Sequence, residues 1–218
     1  MVRYVSSRGG VPPCDFEQAV LDGLAADGGL YLPERWPHLD RDRLEALRGA
    51  SYQEVAANVL GPFVEGALSE TELRRLIDKA YAGFDHVTVA PLRQLDTNDW
   101  LLELFHGPTL AFKDIALQFL GHLFEHFLAK RGRSVTIVGA TSGDTGAAAI
   151  EAFAGRERMT VVIEARPAFG QVEPAVGREA IQQGLLEIAQ RHAAAAADIA
   201  NHHRLRPSAG APLVRPSH

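Results

Sequence analysis

Three groups of residues in this 218-residue sequence have the types and spacing for chemistry. The first is Lys113. Counted at about 100° per residue on a helix, Leu117, Leu120, Phe124 and Phe127 lie within about 40° of it, with Ala116 and Leu123 on one flank. The lysine falls inside the apolar arc, whereas Asp114, Gln118, His122 and Glu125 fall on the opposite, solvated side. Burial and the positive end of the helix dipole both favour the neutral amine, which is the form that attacks a carbonyl. The alternative is structural, a lysine whose stem covers apolar surface while its ammonium reaches water.

The second group is the run from Gly139 to Gly146, containing Thr141, Ser142, Gly143, Asp144 and Thr145. It follows an expected strand and opens an expected helix. Backbone N–H groups of a turn rich in glycine and hydroxyl residues point outward there and bind carboxylate or phosphate. The run lacks the Gly-Lys pair of a P-loop and the spacing of a dinucleotide fingerprint. Its structural alternative is a tight turn with Asp144 or Thr145 capping the helix. The third group, His122 and His126 with Glu125 between them, has the H-x-x-E-H spacing of inverted zinc peptidases. Both histidines fall on the polar side of the helix and no further carboxylate ligand is identifiable, so surface histidines are expected and no metal is assigned.

The elements that must position these residues follow from caps and periodicity. Asp15 with Gln18, Ser51 with Glu54 and Ser69 with Glu72 each precede an apolar periodic run, predicting at least three helices within residues 14–82. The first should stop at Gly28 and Gly29, with residues 30–33 extended. Residues 87–89 and 100–105 read as strands separated by a turn at residues 96–99. A long helix should start near Thr109 and end at Arg131 before Gly132. Strands at 135–138 and 160–163, joined by an alanine-rich helix at 144–153, complete an alternation typical of a parallel sheet covered by helices. The expected organisation is a mostly helical unit over residues 1–83, a partial α/β domain over 84–163 and a tail of different character over 164–218.

Composition narrows the function further. A net charge of −5 with mixed signs gives no basic stripe for nucleic acid or an anionic membrane, so a small-molecule partner is expected. Cys14 is the single cysteine, which rules out an intramolecular disulfide and fits a reducing cytoplasm. Residues 1–10 lack the apolar segment of an export signal and no run is long enough to span a bilayer. The tail contains no lysine, threonine, tyrosine or tryptophan. A helix is expected at residues 178–199 and disorder after Asn201.

Together, residues 105–114, ending in Phe112, Lys113 and Asp114, and residues 140–146 closely resemble the two signature segments of the threonine synthase family. Residues 4–9, 27–34 and 89–92 are similar to that family's N-terminal region, in the same order, so the resemblance covers residues 1–163. It implies a fold-type II pyridoxal-phosphate enzyme of tryptophan synthase β-like α/β architecture, a carbon-oxygen lyase acting on phosphates. Its implied reaction is the last step of threonine biosynthesis, O-phospho-L-homoserine and water giving L-threonine and phosphate. By resemblance Lys113 holds pyridoxal 5'-phosphate and moves protons, and Asp144 also lies at the cofactor. Thr141, Ser142, Gly143, Asp144 and Thr145 would receive the substrate's anionic group.

The resemblance stops at the change of composition near residue 163. The family's cofactor-phosphate loop and the group facing the pyridine nitrogen have no counterpart in residues 164–218. The expectation is a truncated copy, through a shifted reading frame or an early gene end, with weak or no activity. Missing charge-assisted contacts to the phosphate would each forfeit roughly 1.5–3 kcal/mol. The alternatives are a non-catalytic remnant or interaction domain and, more distantly, a zinc hydrolase using His122 and His126.

Overall fold

The computed structural model describes residues 1–141 and 143–165; the expected tail helix and tail disorder lie outside them. The N-terminal part opens with strand β1 (Tyr4–Ser6) and helix α1 (Phe16–Asp22). Strand β2 (Tyr31–Pro33) pairs antiparallel with β1, Tyr4 opposite Pro33. Helices α2 (Arg41–Ala46), α3 (Tyr52–Val64) and α4 (Glu70–Tyr81) follow. The three expected caps are present: the Asp15 side chain accepts from Gln18 N, and Ser51 with Glu54 and Ser69 with Glu72 form complete capping boxes. Asp40 caps α2 in the same way, accepting from Arg43 N.

Helix α1 is shorter than expected. It ends at Asp22, where Gly23 takes φ 69° and donates its N–H to the Ala19 carbonyl. Gly28 and Gly29 instead belong to the turn that leads into β2. The left-handed region is costly for residues with a Cβ, so the first glycine able to adopt it stops the helix.

Strands β3 (Leu92–Gln94) and β4 (Trp100–Leu102) form an antiparallel hairpin, Leu92 opposite Leu102. The expected strand at residues 87–89 is a turn: Val89 has φ 58° and donates its N–H to the His86 carbonyl at 2.8 Å. Its burial explains the apolar pattern, because Val89 is enclosed in the helical core while Val87 is exposed. The segment after Trp100 also differs from expectation. It pairs only with β3 among the described residues and does not extend the parallel sheet.

Helix α5 (Asp114–Arg131) leads into strand β5 (Val135–Thr141), helix α6 (Asp144–Phe153) and strand β6 (Met159–Ala165). Strands β5 and β6 are parallel, with Val135 opposite Met159, as the crossover helix between them requires. Two apolar clusters hold the elements together. One joins α3, α4 and α5 through Leu73, Leu76, Ile77, Leu123 and Phe127. The other joins the far side of α5 to α6 and the strands through Leu128, Ala152, Phe153 and Met159. Among the described residues no helix is long and apolar enough to cross a membrane.

Candidate active site

Helix α5 begins at Asp114, five residues later than the sequence suggests, and Lys113 is its N-cap residue. The reason lies in residues 107–113. Leu110 N–H donates to the Gly107 carbonyl at 3.0 Å, and Asp114 N–H to the Ala111 carbonyl at 3.0 Å. Leu110 takes φ 60°, which breaks the helical path. Lys113 then turns the chain into the helix, its carbonyl accepting from Leu117 N at 2.9 Å. Tyr81 Oη donates to the Ile115 carbonyl at 3.1 Å and ties the first turn of α5 to α4.

Lys113 is half-buried, not enclosed in an apolar face. Its Nζ stands 4.3 Å from the centroid of the Phe112 ring, a cation–π contact at the protein surface. Phe112 itself is exposed, as are Phe105 and Leu110 in the segment that leads to the lysine. The anticipated solvated side of the helix is also corrected. Asp114 has no exposed surface and Gln118 is buried, whereas Ala116, expected on the flank of the apolar arc, is exposed.

The physical reason is that α5 is packed on two sides. Phe119, Leu123 and Phe127 face α3 and α4, while Leu117, Leu120 and Phe124 face the cluster of α6 and β5. A single apolar arc does not describe such a helix. Asp114 is satisfied from within residues 107–114: Thr109 N–H donates to one carboxylate oxygen at 2.8 Å, and Thr109 Oγ1 to the other at 2.7 Å. Sequence reasoning missed this residue. The available signal was the threonine five positions earlier and the glycine before it, a turn-forming set that the wheel does not read.

The second group spans the junction of β5 and α6: Gly139 to Thr141 end β5, which runs three residues beyond the expected strand, and Asp144 opens α6, with Ser142 outside the described residues. Gly143 is the N-cap of α6, and its carbonyl accepts from Gly146 N at 2.9 Å and Ala147 N at 3.2 Å. Neither Asp144 nor Thr145 is the cap residue; both lie exposed in the first turn. A glycine cap has no side-chain oxygen to offer the first amides of the helix. Gly146 serves close packing, because a Cβ there would overlap the methyl of Thr141.

His122 and His126 are half-buried, not solvated. Arg156 reaches from the end of α6 to His122 Nδ1 at 2.8 Å and to Glu125 Oε2 at 3.1 Å. Burial first and the Arg156 guanidinium second hold the His122 imidazole below its usual range, with Glu125 opposing them. His126 Nε2 lies 3.7 Å from Glu72 Oε1. Among the described residues no group of three or more histidine, cysteine, aspartate or glutamate side chains is arranged to hold a metal ion.

Residues 3–81 match the family model described as the threonine synthase N terminus. Threonine synthase of Pseudomonas aeruginosa is 53% identical over 150 residues, 69% of this chain and 32% of that protein. The enzyme of Schizosaccharomyces pombe is 45% identical over 171 residues, 74% of this chain and 33% of its own length. A crystal structure of PLP-bound threonine synthase from Brucella melitensis superposes with a TM-score of 0.73 at 52% identity, covering 75% of this chain and 35% of that one. The matched part of this chain belongs to the threonine synthase family. The fold is accordingly the α/β architecture of those fold-type II pyridoxal-phosphate enzymes, and the chain spans about a third of the length of the relatives it matches.

Proposed function

We propose that residues 1–163 form one part of a threonine synthase active site, with Lys113 as the residue that holds pyridoxal phosphate. The observation that carries this reading is the position of Lys113 at the N-cap of α5, half-buried and fixed at its backbone by the turns of residues 107–113. The groups present fit the cofactor. A half-buried primary amine is the donor its aldehyde needs, and the α6 N-terminus with its glycine cap suits an anion.

When bound, pyridoxal phosphate supplies an electron sink for charge developing on the substrate carbon. This chain's residues would do the rest of the work on this side of the site. Lys113 would retain the cofactor, and its amine would carry protons at the substrate Cα and Cβ. Gly143, Asp144 and Thr145, with Thr141 and Ser142 before them, would orient the anionic group of O-phospho-L-homoserine, and Asp144 would also lie at the cofactor. The product of the complete reaction would be L-threonine, with phosphate released.

A second reading is a motif-bearing domain that binds nothing tightly. It is favoured by the exposure of Phe112, the ring against which the Lys113 ammonium rests, and of Phe105 and Leu110 in the same segment. One measurement separates the two. The full chain is incubated with pyridoxal phosphate, reduced with borohydride and mapped by mass spectrometry. The active-site reading expects modification concentrated at Lys113 and its loss in Lys113→Ala. Modification spread evenly over Lys79, Lys113 and Lys130 would establish the second reading instead.

A further inference from the structure

We infer that Asp114 is the positioning residue for Lys113: its buried carboxylate, clasped by Thr109 and packed against Gly107, fixes the turn from which the lysine projects. This inference rests on the reading of Lys113 as the cofactor's anchor. It starts from an anomaly. An aspartate in the first turn of a helix is ordinarily exposed, where it complements the helix dipole modestly. Asp114 instead has no exposed surface. Burying a carboxylate costs far more than the dipole returns unless each oxygen has a partner.

Both partners come from one residue of the preceding turn. Thr109 N–H donates to Oδ2 at 2.8 Å and Thr109 Oγ1 donates to Oδ1 at 2.7 Å. Gly107 closes the other side. A Cβ on Gly107 would stand 2.5 Å from Asp114 Cβ and 2.6 Å from Asp114 Oδ2, so only a hydrogen fits there. The chain between Gly107 and Lys113 is therefore wrapped around this carboxylate. Two backbone bonds, Leu110 N to Gly107 O and Asp114 N to Ala111 O, both 3.0 Å, complete the wrap.

Lys113 has no side-chain cap of its own. Apart from the contact of its ammonium with the Phe112 ring, its direction follows from its backbone, which is bonded to Asp114 on one side and follows the wrapped turn on the other. Losing the clasp would let this segment shift, and a displacement of about 1 Å at a reacting group costs on the order of 100-fold in rate. A carboxylate that served stability alone would change the melting temperature without changing which lysine reacts.

The test compares the full chain with Asp114→Asn, Thr109→Val and Thr109→Ser. Each protein is treated with pyridoxal phosphate and borohydride, and the ratio of trapping at Lys113 to trapping at Lys79 is read by mass spectrometry. Thermal unfolding followed by circular dichroism identifies the folded variants. The expected result is a fall of about 10- to 100-fold in that ratio for Asp114→Asn and Thr109→Val, with recovery in Thr109→Ser, which restores the hydroxyl. If Asp114→Asn does not fold, Thr109→Val against Thr109→Ser carries the comparison, since the backbone donor is kept in both. An unchanged ratio in folded Thr109→Val overturns the positioning role. Absence of preferential trapping at Lys113 in the unaltered chain would overturn both this inference and the reading beneath it.

Discussion

Ser6 and Asp27 are far apart in sequence and act as one unit in the structure. Ser6 Oγ donates to Asp27, 2.7 Å from Oδ1 and 2.9 Å from Oδ2, while Gly29 N and Gly10 N donate to the same carboxylate at 2.9 Å and 2.8 Å. The Ser6 hydroxyl foremost, then the Gly29 amide, hold the Asp27 carboxyl below its ordinary value. A carboxyl depressed in the folded state favours folding above its unfolded value of about 3.9, and that contribution disappears as pH falls through the lower folded value. Ser6→Ala should therefore move the Asp27 titration upward, read by NMR, and raise the pH at which the protein unfolds in acid. An Asp27 titration unmoved by the substitution would show that the backbone amides suffice. This pair also marks what a sequence discloses at the residue scale. The two segments are visible as signatures, yet their mutual contact is not, because a hydrogen bond across 21 positions is set by the pairing of β1 with β2. Asp114 is the opposite case: its neighbour Lys113 is legible, whereas its own burial follows from the turn at Thr109 and the packing of α5 on two sides.

Helix termini are the most legible features because their chemistry is local. Ser51 with Glu54 and Ser69 with Glu72 needed only a three-residue spacing to be read, and both form reciprocal boxes. In the second, Glu72 Oε2 accepts from Ser69 N at 2.8 Å and from Ser69 Oγ at 2.7 Å. Helix α4 places Leu73, Leu76 and Ile77 in the main core, so fraying of its first turn is transmitted to packing. Ser69→Ala should cost about 1 kcal/mol of stability, within the usual 0.5–2, measured by urea unfolding with the slope unchanged. A loss below the precision of that measurement would mean that packing alone fixes the start of α4. The faces of α5 were less legible. A helical wheel tests for one apolar arc, whereas this helix meets α4 on one side and α6 on the other. The same double packing half-buries His122 and His126, which a wheel leaves in solvent.

At the scale of the whole molecule the parallel β5–α6–β6 unit was readable, since a strand, an alanine-rich helix and a second strand allow few arrangements. The partner of β4 was not. Strand propensity identifies an extended segment but leaves its neighbour to long-range packing, and here the neighbour is β3 alone among the described residues. All six residues of the two strands are exposed, including Leu92, Trp100, Leu101 and Leu102. Two-stranded hairpins without a covered face are marginal in water, and local opening is easiest where few apolar contacts resist it. The amides of β3 and β4 should therefore exchange with deuterium orders of magnitude faster than those of Phe119 to Leu128 in α5, whose side chains line both apolar clusters. Leu92→Thr and Leu101→Thr should change global stability by no more than about 0.5 kcal/mol, as for surface substitutions. Equal protection of hairpin and helix would contradict this, because it would require the exposed strands to be covered in solution by something that removes their apolar side chains from water.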